Sequence, residues 1–234
     1  MGGASSSLPN RLPPRTFVIG DIHGCAATLR QLVAEQLRPT PADRIYLRGD
    51  LIDRGPDSRG VLDFIFEMQA AGLVVVSVRG NHEQMLLQAE YGHSYLNMWT
   101  ANGGLNTLAS FRADGPGDIP HRYREFLGSL PFYVLLDRYV IVHAGLNFDR
   151  PDPFEDTGSM LWTRSPFVDR QRIGGRQLIC GHTPLSRSRI EASLTGDKIM
   201  LDNGCVFEYQ PEMGCLAALE LESMTLYLQP NMDI

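Results

Sequence analysis

The first third of the chain alternates short apolar runs with stretches whose apolar residues recur every three or four positions. The apolar runs Thr16–Ile19, Arg44–Leu47 and residues 73–78 predict three β-strands. Residues 26–36 and 56–71, which lie between them, carry apolar residues on one helical face and predict two α-helices. This β-α-β-α-β order predicts a parallel or mixed sheet covered by helices. Because residues 73–78 are almost all apolar and β-branched, they predict a strand buried on both faces.

The pattern changes after residue 83 and returns to strands near residue 132. Residues 83–128 predict helices interrupted by the loops "ANGGLN" and "RADGPGDIP", and we expect about residues 84–130 to form a small helical cap over one edge of the sheet. Six later runs predict strands, and the later ones, from 198–201 onwards, are expected in antiparallel hairpins: 132–136, 139–143, 176–180, 198–201, 216–221 and 225–228. So many strands in one core predict an α/β (α+β) domain over residues 16–234, with two facing sheets flanked by helices.

Composition and charge exclude several classes of partner. The 234 residues are 43% hydrophobic and 21% charged, which is ordinary for a globular protein, and the net charge of −6 argues against nucleic acid as the main ligand. The longest apolar run falls far short of the roughly 20 residues that a membrane helix needs. We therefore expect neither a nucleic-acid partner nor a membrane span.

The N-terminal residues and the cysteines indicate in which cellular compartment the protein is expected. Residues 1–15 lack an apolar signal region and are rich in Gly, Ser and Pro, which predicts a disordered tail. Gly2 and Ser6 also match the short myristoylation pattern, so lipidation of Gly2 stays open. The four cysteines have no paired spacing, which predicts free thiols and a cytoplasmic location.

Five apolar runs end in the same way, in a short segment that holds glycine beside Asp, Asn or His. These segments are "VIGDIHG", "YLRGDLIDRG", "VRGNHE", "VIVHAG" and "LICGHTP". The carboxyl ends of strands in open α/β sheets are where ligands bind, and glycine there allows the backbone to turn sharply. Five such endings in one chain predict a single functional site at one edge of the sheets.

The side chains in these segments predict a metal site. They offer six oxygen and imidazole donors, a set that suits Mn, Fe or Zn better than Mg or Ca: Asp21, His23, Asp50, Asn81, His143 and His182. Six donors exceed what one catalytic metal usually takes. With one bridging carboxylate they satisfy two divalent ions, the arrangement used for displacement at phosphorus.

The motifs "GDIHG", "GDLIDRG", "GNHE", "HAG" and "GHT", in this order, resemble the signature of the PPP-family metallophosphatases within the calcineurin-like metallophosphoesterase superfamily. The resemblance runs from Gly20 to at least Thr183. The variants "HAG", "MLWTRSP" and "LDNGCVF" are similar to those of bacterial and phage members. The resemblance implies an αββα sandwich and a serine/threonine protein phosphatase that uses two metal ions, most often Mn²⁺, with Fe or Zn as alternatives.

The resemblance also implies roles for individual residues. One metal would be held by Asp21, His23 and Asp50. Asp50 would bridge to a second metal that is completed by Asn81, His143 and His182. A hydroxide bridging the two metals would attack phosphorus in line with the leaving group.

Further implied roles concern the phosphate and the leaving group. Arg54, Arg164 and Asn81 would bind the phosphate, and planar guanidinium groups suit its equatorial oxygens. His82 would protonate the leaving oxygen as general acid. Two dications would lower the pKa of His82, and a partner carboxylate from Asp53 would counter that effect. A loop-capping role for Asp53 and a surface ion pair for Arg54 stay open, and Glu83 is expected only to start a helix.

The substrate is a phosphorylated protein, a small phosphoester or a nucleotide. The principal alternative to a protein phosphatase is a diadenosine polyphosphate hydrolase on the same scaffold. Asp53 and "GNHE" favour the protein-phosphatase branch over the symmetrical tetraphosphatases, although PrpE-like proteins share both features. A non-catalytic phosphate-binding module is a third class, which would be expected to have lost some of these residues.

Overall fold

The computed structural model describes residues 13–207 and 209–233, which form nine strands and a set of short helices. Residues 1–12 of the predicted tail, with Gly2, lie outside the described residues. The strands are β1 Thr16–Ile19, β2 Arg44–Leu47, β3 Val74–Ser77, β4 Tyr133–Leu135, β5 Tyr139–Val142, β6 Gln177–Cys180, β7 Lys198–Met200, β8 Cys215–Glu220 and β9 Thr225–Pro230. The α-helices are α1 Ala26–Gln31, α2 Ser58–Ala70, α3 Asn81–Gln88, α4 His93–Trp99, α5 Leu105–Phe111, α6 His121–Ser129, α7 Thr157–Trp162 and α8 Arg187–Ser193.

The strands form two mixed sheets. The first has five strands in the order β3-β2-β1-β8-β9, and the second has four in the order β4-β5-β6-β7. Strands β1, β2 and β3 are parallel, as are β5, β6 and β7, whereas β4 and the β8–β9 hairpin are antiparallel to their neighbours. The predicted fold, two mixed sheets flanked by helices, is confirmed.

Alternating side chains on the strands form the layers of the sandwich. Phe17 and Ile19 of β1 point to the helices and join the core that includes Leu29 of α1 and Leu62 of α2. Val18, which lies between them, points the other way. It packs in a second core with residues of the facing sheet, among them Ile141 and Ile179. Each strand of this kind has both faces buried, which explains why the apolar runs are nearly continuous.

The register of the strands places their carboxyl ends together. Ile19 pairs with Leu47 and Leu47 pairs with Ser77, so β1, β2 and β3 end at the same level. In the second sheet Ile141 pairs with Ile179, so β5 and β6 also end side by side. The five segments identified in the sequence therefore emerge at one rim of the sandwich.

Residues 81–129 carry four α-helices, and their buried side chains include Trp99, Leu108 and Tyr123. These side chains share one core with Leu62 and Ile65 of α2. The boundaries proposed for the cap and for the domain stay predictions. None of the helices in the described part of the chain is long and apolar enough to cross a membrane.

Three local predictions were wrong. Strand β3 was expected to be buried on both faces, but it is an edge strand and Val74 is 44% exposed. A run of valines does not reveal that one side of the strand has no neighbour. The predicted loop "ANGGLN" is largely helical and has a kink at Gly103, whose φ is 106°, because Trp99 and Leu108 on either side are held in the core. Strand β7 pairs parallel to β6, since α8 connects them as a crossover.

Candidate active site

Backbone hydrogen bonds between the segments bring the predicted site residues together. The amides of Ile22 and His23 donate to the carbonyl of Asp50 at 3.1 and 2.8 Å. In the second sheet, the amide of Gly181 donates to the carbonyl of His143 at 2.9 Å. These bonds tie the end of β1 to that of β2 and the end of β5 to that of β6.

The site contains two groups of three side chains that can each hold a metal ion. His23, Asp50 and His82 form one group, and Asp50, His143 and His182 form the other, with the ligand atoms of each group within 4.8 Å of one another. Asp50 belongs to both, which supports the prediction that it bridges. It also supports a dinuclear rather than a mononuclear site.

The hydrogen bonds of two histidines indicate that a cation fits here. Nδ1 of His143 donates to the carbonyl of Arg48 at 3.0 Å, which leaves Nε2 as an acceptor. That Nε2 lies 2.8 Å from Oδ1 of Asn81, 3.2 Å from Nδ1 of His182 and 3.5 Å from Oδ2 of Asp50. These atoms are all able to accept, and a divalent ion would satisfy them together.

Burial keeps three of these imidazoles neutral, as metal ligation requires. Desolvation is the largest cause of the lowered pKa values of His23 and His143, and it lowers the pKa of His182 to about 3. His82 differs. Burial alone would lower the pKa of His82, but the charge of Asp50 and the hydrogen bond with Asp53 outweigh it and raise the pKa.

His82 and Asp53 form a buried pair that two other residues hold in place. Nδ1 of His82 lies 2.8 Å from Oδ2 of Asp53. The indole of Trp99 donates to the same oxygen at 2.9 Å, and the hydroxyl of Thr107 donates to the other oxygen at 2.6 Å. Among the described residues, Nε2 of His82 is buried without a hydrogen-bond partner. This nitrogen lies 4.0 Å from Oδ2 of Asp50, so it faces the predicted metal site.

Asp21 is contacted by an arginine whose role the sequence did not reveal. Arg48 is fully buried, and its Nη2 lies 2.7 Å from Oδ1 of Asp21. The same guanidinium donates to the carbonyls of His143 at 2.9 Å and Leu201 at 3.0 Å. The other oxygen of Asp21 accepts the amide of His182 at 3.2 Å. Arg48 therefore joins both sheets at the site, and the only sequence signal is a charge at the end of an apolar strand.

Glu83 has a larger role than the predicted helix start. Its carboxylate is fully buried and accepts the amides of Asp50, Leu51 and Gly80 at 2.7 to 2.8 Å. It thereby fixes the loop that presents Asp50 beside the first turn of α3. Burial and the neighbouring charge of Asp50 raise the pKa of Glu83 to about 7.

The two arginines predicted to bind phosphate occupy different surroundings. Nη1 of Arg54 lies 2.8 Å from Nε2 of His23, so the lone pair of that nitrogen serves either Arg54 or a metal. Arg164 is exposed, and its positive charge contributes to the lowered pKa of His182. Arg54 thus contacts a predicted metal ligand directly, whereas Arg164 acts on one through its charge.

Several non-glycine residues of the site have a positive φ, which costs energy and persists only where the surroundings enforce it. They are His23 at 48°, Asp50 at 49°, Asp53 at 71°, Arg54 at 68° and His182 at 62°. Backbone strain is therefore concentrated in the segments that carry the predicted ligands.

Comparison with known proteins agrees with this geometry. The family model described as calcineurin-like phosphoesterase matches residues 14–213. The chain belongs to this family. Calcineurin-like phosphoesterases use a dinuclear divalent metal site, so the protein is a metallophosphoesterase, and the predicted resemblance is confirmed.

Individual calcineurin-like phosphoesterases that are similar to the chain carry two kinds of name. Serine/threonine-protein phosphatase 1 of Salmonella typhimurium is 31% identical, over 82% of this chain and 87% of the relative. The asymmetrical bis(5'-nucleosyl)-tetraphosphatase PrpE of Geobacillus thermodenitrificans is 30% identical, over 92% of this chain and 93% of the relative. A solved serine/threonine phosphatase from Saccharomyces cerevisiae shares the fold, with a TM-score of 0.64 at 14% identity over 95% of this chain and 81% of that one.

Proposed function

We propose that the protein is a serine/threonine protein phosphatase in which His82 is the general acid and Asp53 orients it. The observation that carries the proposal is the buried pair of His82 and Asp53, with Nε2 of His82 directed towards the metal ligands. Trp99 and Thr107 hold Asp53 in place, and the bond with Asp53 satisfies Nδ1 of His82.

A general acid matters most for a substrate whose leaving group is a poor one. The oxygen of a serine or threonine side chain leaves as a strongly basic alkoxide unless it receives a proton. The charge of Asp50 and the hydrogen bond with Asp53 raise the pKa of His82, which favours the protonated imidazole that a general acid requires. A phosphate leaving group, as in a dinucleoside polyphosphate, has much less need of this proton.

The ligand set supports two divalent ions, and we infer Mn²⁺ because mixed carboxylate, amide and imidazole donors suit it. Asp21, His23 and Asp50 would hold one ion, and Asp50, Asn81, His143 and His182 the other. When bound, the two ions supply activation of water and neutralisation of phosphate charge. Arg54, Arg164 and the amide of Asn81 would orient the phosphate oxygens by donating hydrogen bonds.

The test compares leaving groups in the variant His82→Asn, which keeps a polar group near the position of Nδ1 but cannot transfer a proton. With Mn²⁺ present, kcat for a phosphoserine peptide is expected to fall about 100-fold or more, since general acid catalysis contributes on that order. The kcat for p-nitrophenyl phosphate, whose leaving group needs no proton, is expected to fall much less. Equal losses on both substrates would refute the role of His82.

A second candidate function is hydrolysis of diadenosine tetraphosphate, which the similarity to PrpE over nearly the whole of both chains favours. Rates measured side by side on a phosphoserine peptide, a phosphotyrosine peptide and diadenosine tetraphosphate separate the two candidates. The proposed function predicts the highest kcat/KM on the first. Absence of any chelator-sensitive turnover would instead favour a non-catalytic phosphate-binding module.

The predicted cytoplasmic location is part of the same proposal. Cys25, Cys180, Cys205 and Cys215 are all free thiols, and the first three are buried. Free thiols are typical of a reducing compartment.

A further inference from the structure

A cavity of about 320 Å³ lies on the second sheet beside the predicted metal centre. It is at the lower end of the range of volumes of small-molecule sites. Gly181 and Thr183, which flank the predicted ligand His182, line it, and so does Ala144, which follows the predicted ligand His143. The cavity therefore borders two of the segments that carry predicted metal ligands.

The lining of this cavity carries three positive charges. They belong to Arg164, Arg189 and Lys198, and no carboxylate is present among the lining residues that the structure describes. None of the three cations forms an ion pair with a described acidic residue. An unneutralised cluster of this kind attracts a negative group.

The three cations come from different elements, and one of them is anchored. Lys198 begins β7, and its ammonium donates to the carbonyl of Ser165 at 2.7 Å. This bond holds the loop that carries Arg164 next to the cavity. Arg189 lies on α8, is exposed and also lines the cavity.

We propose that this cavity is a subsite for a second anionic group on the substrate, adjacent to the phosphate that is hydrolysed. The proposal rests on the proposed phosphatase function, since it assigns the scissile phosphate to the metal centre and to Arg164. Arg189 and Lys198 then contact the second anion. The matching ligand chemistry is a further phosphate, carried either by a doubly phosphorylated peptide or by a polyphosphate chain.

The structure favours a phosphate over a lone carboxylate in this subsite. With Arg164 assigned to the scissile phosphate, Arg189 and Lys198 supply two positive charges to this cavity, which match a dianion better than a monoanion, and a guanidinium binds phosphate through two parallel hydrogen bonds. The negative net charge of the protein, −6, does not attract such a substrate by itself. The positive charges around the cavity therefore act locally as a determinant of substrate specificity. They do not belong to a positive potential that extends over the whole protein surface.

The experiment uses the full chain loaded with Mn²⁺ and the double variant Arg189→Gln with Lys198→Gln, the second of which removes the charge but keeps an amide that can donate to the carbonyl of Ser165. Four substrates are compared by kcat/KM: p-nitrophenyl phosphate, a singly phosphorylated serine peptide, the same peptide with a second phosphoserine, and diadenosine tetraphosphate. The matched control is Arg187→Gln, which removes a charge from the same helix but one that already pairs with Glu191 at 2.7 Å. Circular dichroism and the melting temperature establish that each variant is folded.

We expect the double variant to lower the ratio of kcat/KM for a doubly anionic substrate to kcat/KM for p-nitrophenyl phosphate by about tenfold. A fall confined to the doubly phosphorylated peptide assigns the second anion to a peptide, and a fall confined to diadenosine tetraphosphate assigns it to a polyphosphate chain. Ratios that match those of Arg187→Gln for both substrates would overturn the proposal.

A binding measurement separates failure of the subsite from failure of the proposed function. Calorimetry with pyrophosphate and with phosphate, at one fixed Mn²⁺ concentration, needs no turnover. We expect the double variant to weaken pyrophosphate binding about tenfold and phosphate binding much less. Equal weakening of both, or none, would contradict the subsite even if the wild-type protein hydrolyses no phosphate ester.

Discussion

Buried charges near the rim of the sandwich show how single residues support the site. The carboxylate of Asp21 is buried, and burial raises its pKa to about 6 in spite of the adjacent Arg48. Asp202, also buried, lies against Asp21, and burial raises the pKa of Asp202 well above its usual value. Arg48, which contacts Asp21 directly, is the main positive charge that compensates this buried carboxylate.

Replacement of this cation tests its contribution to stability. Arg48→Met should lower the free energy of unfolding of the metal-free protein by about 3–5 kcal/mol, because it leaves a buried carboxylate uncompensated. Urea denaturation in the presence of a chelator measures the effect. The matched control is Arg44→Met at the start of β2, the strand that Arg48 follows, where the side chain is exposed and the expected change is within about 0.5 kcal/mol. Similar losses in both variants would contradict this role of Arg48.

At the scale of elements, hydrogen bonds at the opposite ends of the strands set the register of the first sheet. Asp43 accepts the backbone amide of Arg15 at 2.7 Å and its guanidinium at 2.9 Å. It also accepts the amide of Thr40 at 2.8 Å. These bonds hold the starts of β1 and β2 side by side, where Thr16 pairs with Arg44. The level at which both strands end, and with it the position of Asp21 and Asp50, follows from this alignment.

The charge of Asp43 predicts a pH dependence. Burial alone would raise its pKa, but the hydrogen bonds from Arg15 and Thr40 lower it from 3.8 to about 2. A folded-state pKa below the unfolded value stabilises the protein above pH about 4, and this stabilisation is lost as the pH falls through about 2.

Asp43→Asn should therefore lower the free energy of unfolding by about 1–3 kcal/mol at pH 7 and by clearly less near pH 2. Urea denaturation at the two pH values provides the comparison. Asp197→Asn, which removes an exposed carboxylate 3.3 Å from Arg170, serves as control. The same loss for Asp43→Asn at both pH values would exclude the charge of Asp43 as the cause.

At the scale of the whole molecule, the predicted metal ligands join the two sheets. Asp21, Asp50 and Asn81 follow strands of the five-stranded sheet, whereas His143 and His182 follow strands of the four-stranded one. Their side chains meet at the rim, where His143 contacts Asn81 at 2.8 Å. Metal ions at this position would connect the two halves of the sandwich, so metal binding is expected to stabilise the entire fold.

Metal removal tests this connection. At about 100 times its dissociation constant, a bound ligand adds about 2.7 kcal/mol to the free energy of unfolding, which corresponds to an increase of about 5–10 °C in the melting temperature. Scanning calorimetry with Mn²⁺ and with a chelator measures the shift. Asp50→Asn should abolish most of it, because this carboxylate is the only side chain shared by both ligand groups among the described residues. A full Mn²⁺-dependent shift in this variant would contradict the bridging role of Asp50.

The sequence by itself determined the strands that end at the site and the residue types placed there. The apolar runs are short-range patterns, which is why β1 and β2 were predicted with their observed bounds. The five Gly-containing endings are equally local, and they led to all six predicted metal ligands, whereas the pair of His82 and Asp53 was implied by the resemblance to the PPP-family metallophosphatases. The pattern could not show that β3 is an edge strand, because the neighbour of a strand is chosen by the rest of the chain.

Only the tertiary structure decided which distant groups surround these residues. Trp99 and Thr107 hold Asp53 from 46 and 54 residues away, and no local pattern marks either of them. Glu83 and Arg48 were visible as charged residues next to apolar strands, but their partners are backbone groups that come together only when the sheets are packed. The cationic cavity likewise joins a loop, a strand and a helix. The residue types at the site are thus specified by short local motifs, whereas the burial and orientation of these residues depend on contacts between distant parts of the chain.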